Sequence, residues 1–174
     1  ISLTCKHFSL IINETPSLFD KFKVIVNEDK ENLEWIGSRK YSKVSIEQFG
    51  VDIFLKISPQ IGINLKILEI FCKVEAKILN KILLSCPNVR NLTIDGDNHI
   101  EIVNSQDLLV IPAFKLKILK YRGHMNAFEI LRNSIVEDLT INFTQIRNYR
   151  SNHEAMGRFI SNQKDLKCLT LIQP

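Results

Sequence analysis

The chain has 174 residues and a mass of 20.1 kDa, enough to bury one continuous core and too little for two large domains. Hydrophobic residues make up 45% and charged residues 24%, while the 6 Gly and 5 Pro amount to about half of ordinary usage, which excludes a disordered, collagen-like or low-complexity chain. Lys plus Arg number 23 against 19 Asp plus Glu, a formal charge of +4 with the signs interleaved, so no nucleic-acid patch is expected. No apolar run approaches the ~18 residues a membrane helix needs, and no targeting signal is visible. Because the first residue is Ile1 rather than Met, further residues are expected upstream.

In chain order, the first element is an apolar-polar stretch from Leu3 to Ile12. Leu3, Phe8 or His7, and Ile11 or Ile12 fall on one helical face. Thr15-Pro16-Ser17-Leu18-Phe19 follows, in which Thr15 or Ser17 can cap a short turn.

From there a pattern of apolar-x-x-apolar-x-apolar recurs down the chain. It reads Phe19, Phe22, Val24; Tyr41, Val44, Ile46; Leu65, Leu68, Ile70; Val89, Leu92, Ile94; Leu116, Leu119, Tyr121; Val136, Leu139, Ile141; and Leu166, Leu169, Leu171. The middle anchors are spaced by 22, 24, 24, 27, 20 and 30 residues. The last two anchors of each set alternate with other residues, the period of a short strand with one buried face. Between them lie helical spacings, clearest from Val74 to Leu84, where Val74, Ile78, Ile82 and Leu79, Leu83 share adjoining faces before Pro87 turns the chain. Weaker versions stand at Asn32 to Ile36, Asp52 to Ile57, Ala127 to Leu131 and Glu154 to Ile160. A strand-turn-helix-turn unit cannot bury its own apolar faces, but units stacked in parallel share one core.

Leu65-x-x-Leu68-x-Ile70 and Ser85-Cys86-Pro87-Asn88-Val89-x-x-Leu92 resemble the strand and the repeat junction of leucine-rich repeat proteins, in the irregular, cysteine-containing subtype found in F-box proteins. The run Leu3-Thr4-Cys5-Lys6-His7-Phe8 with Pro16-Ser17-Leu18-Phe19 resembles the second half of an F-box; its first half is absent. The chain departs from the family three positions after the last strand anchor, where Phe49, Lys73, Asp97, His124 and Thr144 replace the usual Asn or Cys, so uneven curvature is expected. The resemblance implies an α/β leucine-rich repeat solenoid of about seven parallel strands over residues 19–174, with an N-terminal helical F-box remnant over residues 1–18. It further implies a substrate-recognition subunit of an SCF-type ubiquitin ligase. Leu3, Phe8, Ile11 and Leu18 would then meet the cullin-linking adaptor, and the repeats a target protein. The alternative is a stand-alone repeat module that binds proteins with no ubiquitin connection.

Residues that could carry chemistry of their own are scattered. His7, His99, His124 and His153 are far apart, and His153-Glu154 lacks a second ligand because position 157 is Gly. Asp95-Gly96-Asp97-Asn98 reads as a turn rather than a calcium loop. No phosphate-cradling or nucleophile-elbow motif occurs, so neither catalysis nor a cofactor is expected. Asn13, Asn91 and Asn142 fit the glycosylation pattern, but the last two fall within expected strands. Cys5, Cys72, Cys86 and Cys168 form no CxxC pair, which favours free thiols in a reducing compartment, the cytoplasm or nucleus.

On a concave sheet, period-two alternation turns the residues between and flanking the two strand anchors outward. Their charges are nearly balanced, Lys21, Lys23, Lys43, Lys120 and Arg122 against Glu47, Glu69, Asp95 and Asp138, which argues against tracking of phosphates or a membrane surface. Ile67, Phe71 and Ile118 place an apolar spot beside charges near the middle, as at a protein-binding hot spot. The expected target face therefore comprises Glu47, Ile67, Glu69, Phe71, Thr93, Ile118, Lys120 and Arg122.

Overall fold

The computed structural model describes residues 23–27, 40–95, 113–122, 127–143 and 152–172. The F-box-like residues Leu3, Phe8, Ile11 and Leu18, the helical spacing at Asn32 to Ile36 and the turn after Asp95 lie outside them. Seven strands and four helices are described, in the order β1 (Lys23–Val26), β2 (Lys43–Ile46), α1 (Val51–Ile61) with a 3-10 turn (Gly62–Asn64), β3 (Ile67–Ile70), α2 (Ala76–Ser85) and β4 (Asn91–Asp95). Then follow β5 (Lys115–Arg122), α3 (Ala127–Ile130), β6 (Ile135–Asn142), α4 (Asn152–Ser161) and β7 (Cys168–Ile172). All seven strands form one sheet in sequence order, every pair parallel. Among the described residues no helix is long and apolar enough to cross a membrane.

The repeat anchors set the register. Val44, Leu68, Leu92, Leu119, Leu139 and Leu169 stand opposite one another across successive strands, and Ile46, Ile70, Ile94, Tyr121, Ile141 and Leu171 form the parallel row. The first unit corrects the sequence reading. Val24, not Phe22, pairs with Val44, and Val26 pairs with Ile46, so the first interval is 20 residues rather than 22. Leu68 and Ile70 are fully buried and Leu92 is 1% exposed, in one core with Phe54 of α1, Leu79, Ile82 and Leu83 of α2, and Phe159 of α4. Near the last strands Phe128 lies between Tyr121 and Phe159, with ring centroids 5.0 and 4.9 Å apart and tilted planes that suit aromatic quadrupoles. β7 differs from the rest: all five of its residues are exposed, including the anchor residues Leu169 and Leu171.

Local chemistry explains how the units pack so closely. At Gly50, which opens α1, an added Cβ would lie 2.1 Å from the Val26 carbonyl oxygen; at Gly62, which closes α1, it would lie 2.1 Å from that of Ser85. Only glycine permits either approach. Just before Gly50, Phe49 takes a left-handed φ of 65° and stays exposed, a conformation that costs a non-glycine residue about 1–2 kcal/mol. Inside α1, Pro59 has no N–H to give the Leu55 carbonyl, and the Ser58 hydroxyl donates to that oxygen instead, at 3.2 Å. The Asn88 side-chain amide donates to the Ile63 carbonyl at 2.7 Å and ties the turn after α2 to the turn after α1. Buried Gln163 serves the later units: its amide nitrogen donates to the Ser134 and Phe159 carbonyls and its oxygen accepts from the Val136 N–H.

Candidate functional site

Because the anchors and the helices share one core, the residues between the anchors face the opposite, open side of the sheet. The strand register sorts them into rows that run across the strands. One row reads Lys23, Lys43, Ile67, Asn91, Ile118, Asp138, Cys168, and the next Ile25, Ser45, Glu69, Thr93, Lys120, Thr140, Thr170. Beyond them Asp95, Arg122, Asn142 and Ile172 form a third. Six of the expected target-face residues, Ile67, Glu69, Thr93, Ile118, Lys120 and Arg122, thus share one face, and Glu47 and Phe71 directly follow β2 and β3. Lys21 lies outside the described residues, and on these rows Lys23, Lys43, Lys120 and Arg122 stand against Glu69, Asp95 and Asp138, with Glu47 directly after β2.

Ile67 and Ile118 lie in one row on either side of Asn91 and are half-buried; Phe71 is exposed. Around the first three strands the face is organised by ions. Lys23 of β1 donates to Glu69 of β3 at 2.8 Å, Lys43 of β2 reaches the other carboxylate oxygen at 3.3 Å, and Lys23 also stands 5.8 Å from the centroid of the Phe71 ring. Strands two apart are separated by roughly 10 Å, so the Lys23–Glu69 pair must pass over β2. It roofs Ser45, which explains why a residue expected to be open is fully buried with a hydroxyl that has no partner among the described residues. Partial burial alone would push the Glu69 carboxyl up, but the hydrogen bonds from Lys23 and Lys43 and their charges outweigh it and hold the carboxyl below its ordinary range. Farther along, Arg122 donates to Asp95 across neighbouring strands, while Lys120 is exposed.

A further row escaped the sequence reading. Each unit has two residues between its first and second anchors; in the units from Leu65 to Leu119, where both anchors are buried, these residues are exposed or half-buried, whereas Ser42 of an earlier unit is buried. The first of the two is Ser42, Lys66, Arg90, Lys117, Glu137 and Lys167 in successive units. Backbone bonds place them side by side: Arg90 N–H to the Lys66 carbonyl at 2.8 Å, Lys117 N–H to Arg90 at 2.7 Å, and Lys167 N–H to Glu137 at 2.7 Å. Aligning the units on their first anchor, rather than on the strand pair, is the signal that finds this row.

The described cysteines are free thiols. Burial pushes the thiols of Cys72 and Cys86 up to about 11, so both are protonated and unreactive at neutral pH, while Cys168 lies exposed on β7. Iodoacetamide is therefore expected to label Cys168 in the folded chain and to reach Cys72 and Cys86 only after unfolding. Mapping the alkylated sites by mass spectrometry checks this, and a Cys72–Cys86 bridge that resists labelling without reductant would contradict it.

No group of three or more His, Cys, Asp or Glu residues capable of holding a metal occurs among the described residues. Comparison with protein-family models, with curated proteins and with solved structures finds no match.

Proposed function

We propose that this chain is a leucine-rich repeat solenoid that acts as the substrate-recognition subunit of an SCF-type ubiquitin ligase. The observation that carries the repeat reading is the in-register stack of seven parallel strands in sequence order, the first six each adding two buried core anchors. The ligase reading rests on the F-box-like order of Leu3, Phe8, Ile11, Pro16 and Leu18. In that role the chain performs no bond chemistry and needs no cofactor. The cullin-linking adaptor holds the F-box, the repeats hold a target protein, and a target lysine is kept at high effective concentration near the ubiquitin carrier. A second reading, a repeat module that binds proteins without a ligase role, rests on the stacked strands and their open face alone.

Co-expression of the complete gene product with the adaptor separates the two. On the ligase reading the adaptor co-purifies, Leu3→Asp with Phe8→Asp releases it, and Phe71→Ala spares it while weakening target capture. If the adaptor is not retained where a known F-box protein retains it, the ligase role is refuted and the interaction module stands.

A further inference from the structure

The row formed by Lys66, Arg90 and Lys117 sets three like charges side by side in successive units. All three side chains are exposed, and none forms an ion pair with another described residue. Elsewhere on the face Lys23 and Lys43 share Glu69 and Arg122 holds Asp95, while Lys120, in another row, likewise has no ion pair with a described residue. Beyond Lys117 the line is closed by the Glu137–Lys167 pair at 2.7 Å. The positive field extends along the row: the hydrogen bond from Lys167 and its charge hold the Glu137 carboxyl below its ordinary range, and the charges of Lys117 and Arg90 add to that effect. Three cations side by side repel one another, and Glu137, whose attraction for Arg90 and Lys117 opposes this, is already paired with Lys167.

We propose that Lys66, Arg90 and Lys117 form a docking stripe for an acidic, extended peptide segment of the protein that the open face captures. The proposal rests on the reading that this face binds protein, and it names the chemistry of the partner. Adjacent strands lie about 4.8 Å apart, so Lys66 and Lys117 are separated by roughly 10 Å at the backbone, a span that two acidic side chains two or three residues apart on an extended segment can meet. Ile67 and Ile118 directly follow Lys66 and Lys117 and are half-buried on the same face, so apolar residues of the segment have a place to lie next to its acids. A nucleic acid fits less well. Specific binders neutralise about 6–10 phosphates, whereas this stripe offers three cations and ends against Glu137, with Asp138 in the adjoining row.

The test is selection from a random peptide display library on the immobilised chain. It compares the wild type, a stripe variant (Lys66→Glu, Arg90→Glu, Lys117→Glu) and a charge-matched control on the helices (Lys56→Glu, Lys77→Glu, Lys81→Glu). All six positions are exposed, so the folded state is preserved, and circular dichroism verifies it. The expected result is that wild type and control retain peptides carrying two Asp or Glu close to an apolar residue. Their affinity should fall as salt rises and drop at least about tenfold in the stripe variant. Peptides retained without acidic enrichment, or equal losses in stripe and control variants, overturn the stripe and leave the protein-binding reading intact. A single-stranded oligothymidylate that binds through the stripe more tightly than the selected peptides also overturns it, as a phosphate-reading surface. Retention of no peptide by any form overturns the protein-binding reading itself.

Discussion

Leu68→Ala and Leu92→Ala are each expected to destabilise the fold by about 2–5 kcal/mol, read as a fall of roughly 4–20 °C in the thermal midpoint. Leu68 is fully buried and Leu92 is 1% exposed, and they face each other across β3 and β4, with Val44 and Leu119 on either side. The backbone ladder holds these strands at a fixed spacing, so the cavity left by a lost isobutyl group cannot close by local collapse. Because the two side chains are direct neighbours, the double variant should deviate from additivity, whereas Leu68→Ala combined with Leu139→Ala, three strands apart, should not. Melts unchanged by both single substitutions would show that this register is wrong.

Gly62→Ala is expected to destabilise by about 1–3 kcal/mol or more, and Gly157→Ala to stabilise by up to about 1 kcal/mol. Both glycines belong to helical stretches, and Gly62 has an ordinary φ of −58°, so helix propensity alone favours alanine at each. Their surroundings separate them. A Cβ on Gly62 would meet the Ser85 carbonyl oxygen at 2.1 Å, forcing the ends of α1 and α2 apart, whereas one on Gly157 would meet nothing within 4 Å. The opposite signs are the content of the prediction. Chemical denaturation of both variants measures them, and stabilisation by Gly62→Ala would mean that α1 and α2 do not approach as described.

The strand anchors were legible in the sequence because burial on one face imposes a pattern that recurs in every unit. Where the pattern itself is degenerate, reading it alone went astray: Phe22, Val24 and Val26 alternate, and period two accepts either the first or the last pair as anchors. Pairing with Val44 and Ile46 decides for the last pair. The contacts of Gly50 and Gly62 with distant carbonyls, and the three hydrogen bonds of Gln163, depend on chain segments brought together only by folding. Ser45 looked open by alternation, and it is closed by a lysine from one neighbouring strand and a glutamate from the other. The basic stripe was legible, since it occupies the same position in successive units, but only to a reading that counts from the first anchor of each.

The strands keep their register although the segments between them differ in length, with paired residues at 24, 44, 68, 92, 119, 139 and 169. Closing a longer loop costs only a logarithmic increment, so a few extra residues between strands leave the register of the sheet unchanged. Anchors and face residues also occupy separate positions in every unit. The chain is in effect written in two alphabets: an apolar one that maintains the scaffold, and an unrestricted one that can be rewritten without renegotiating the core. Such a molecule can exchange one binding partner for another by point substitution, and can gain or lose residues between its strands, while the fold persists.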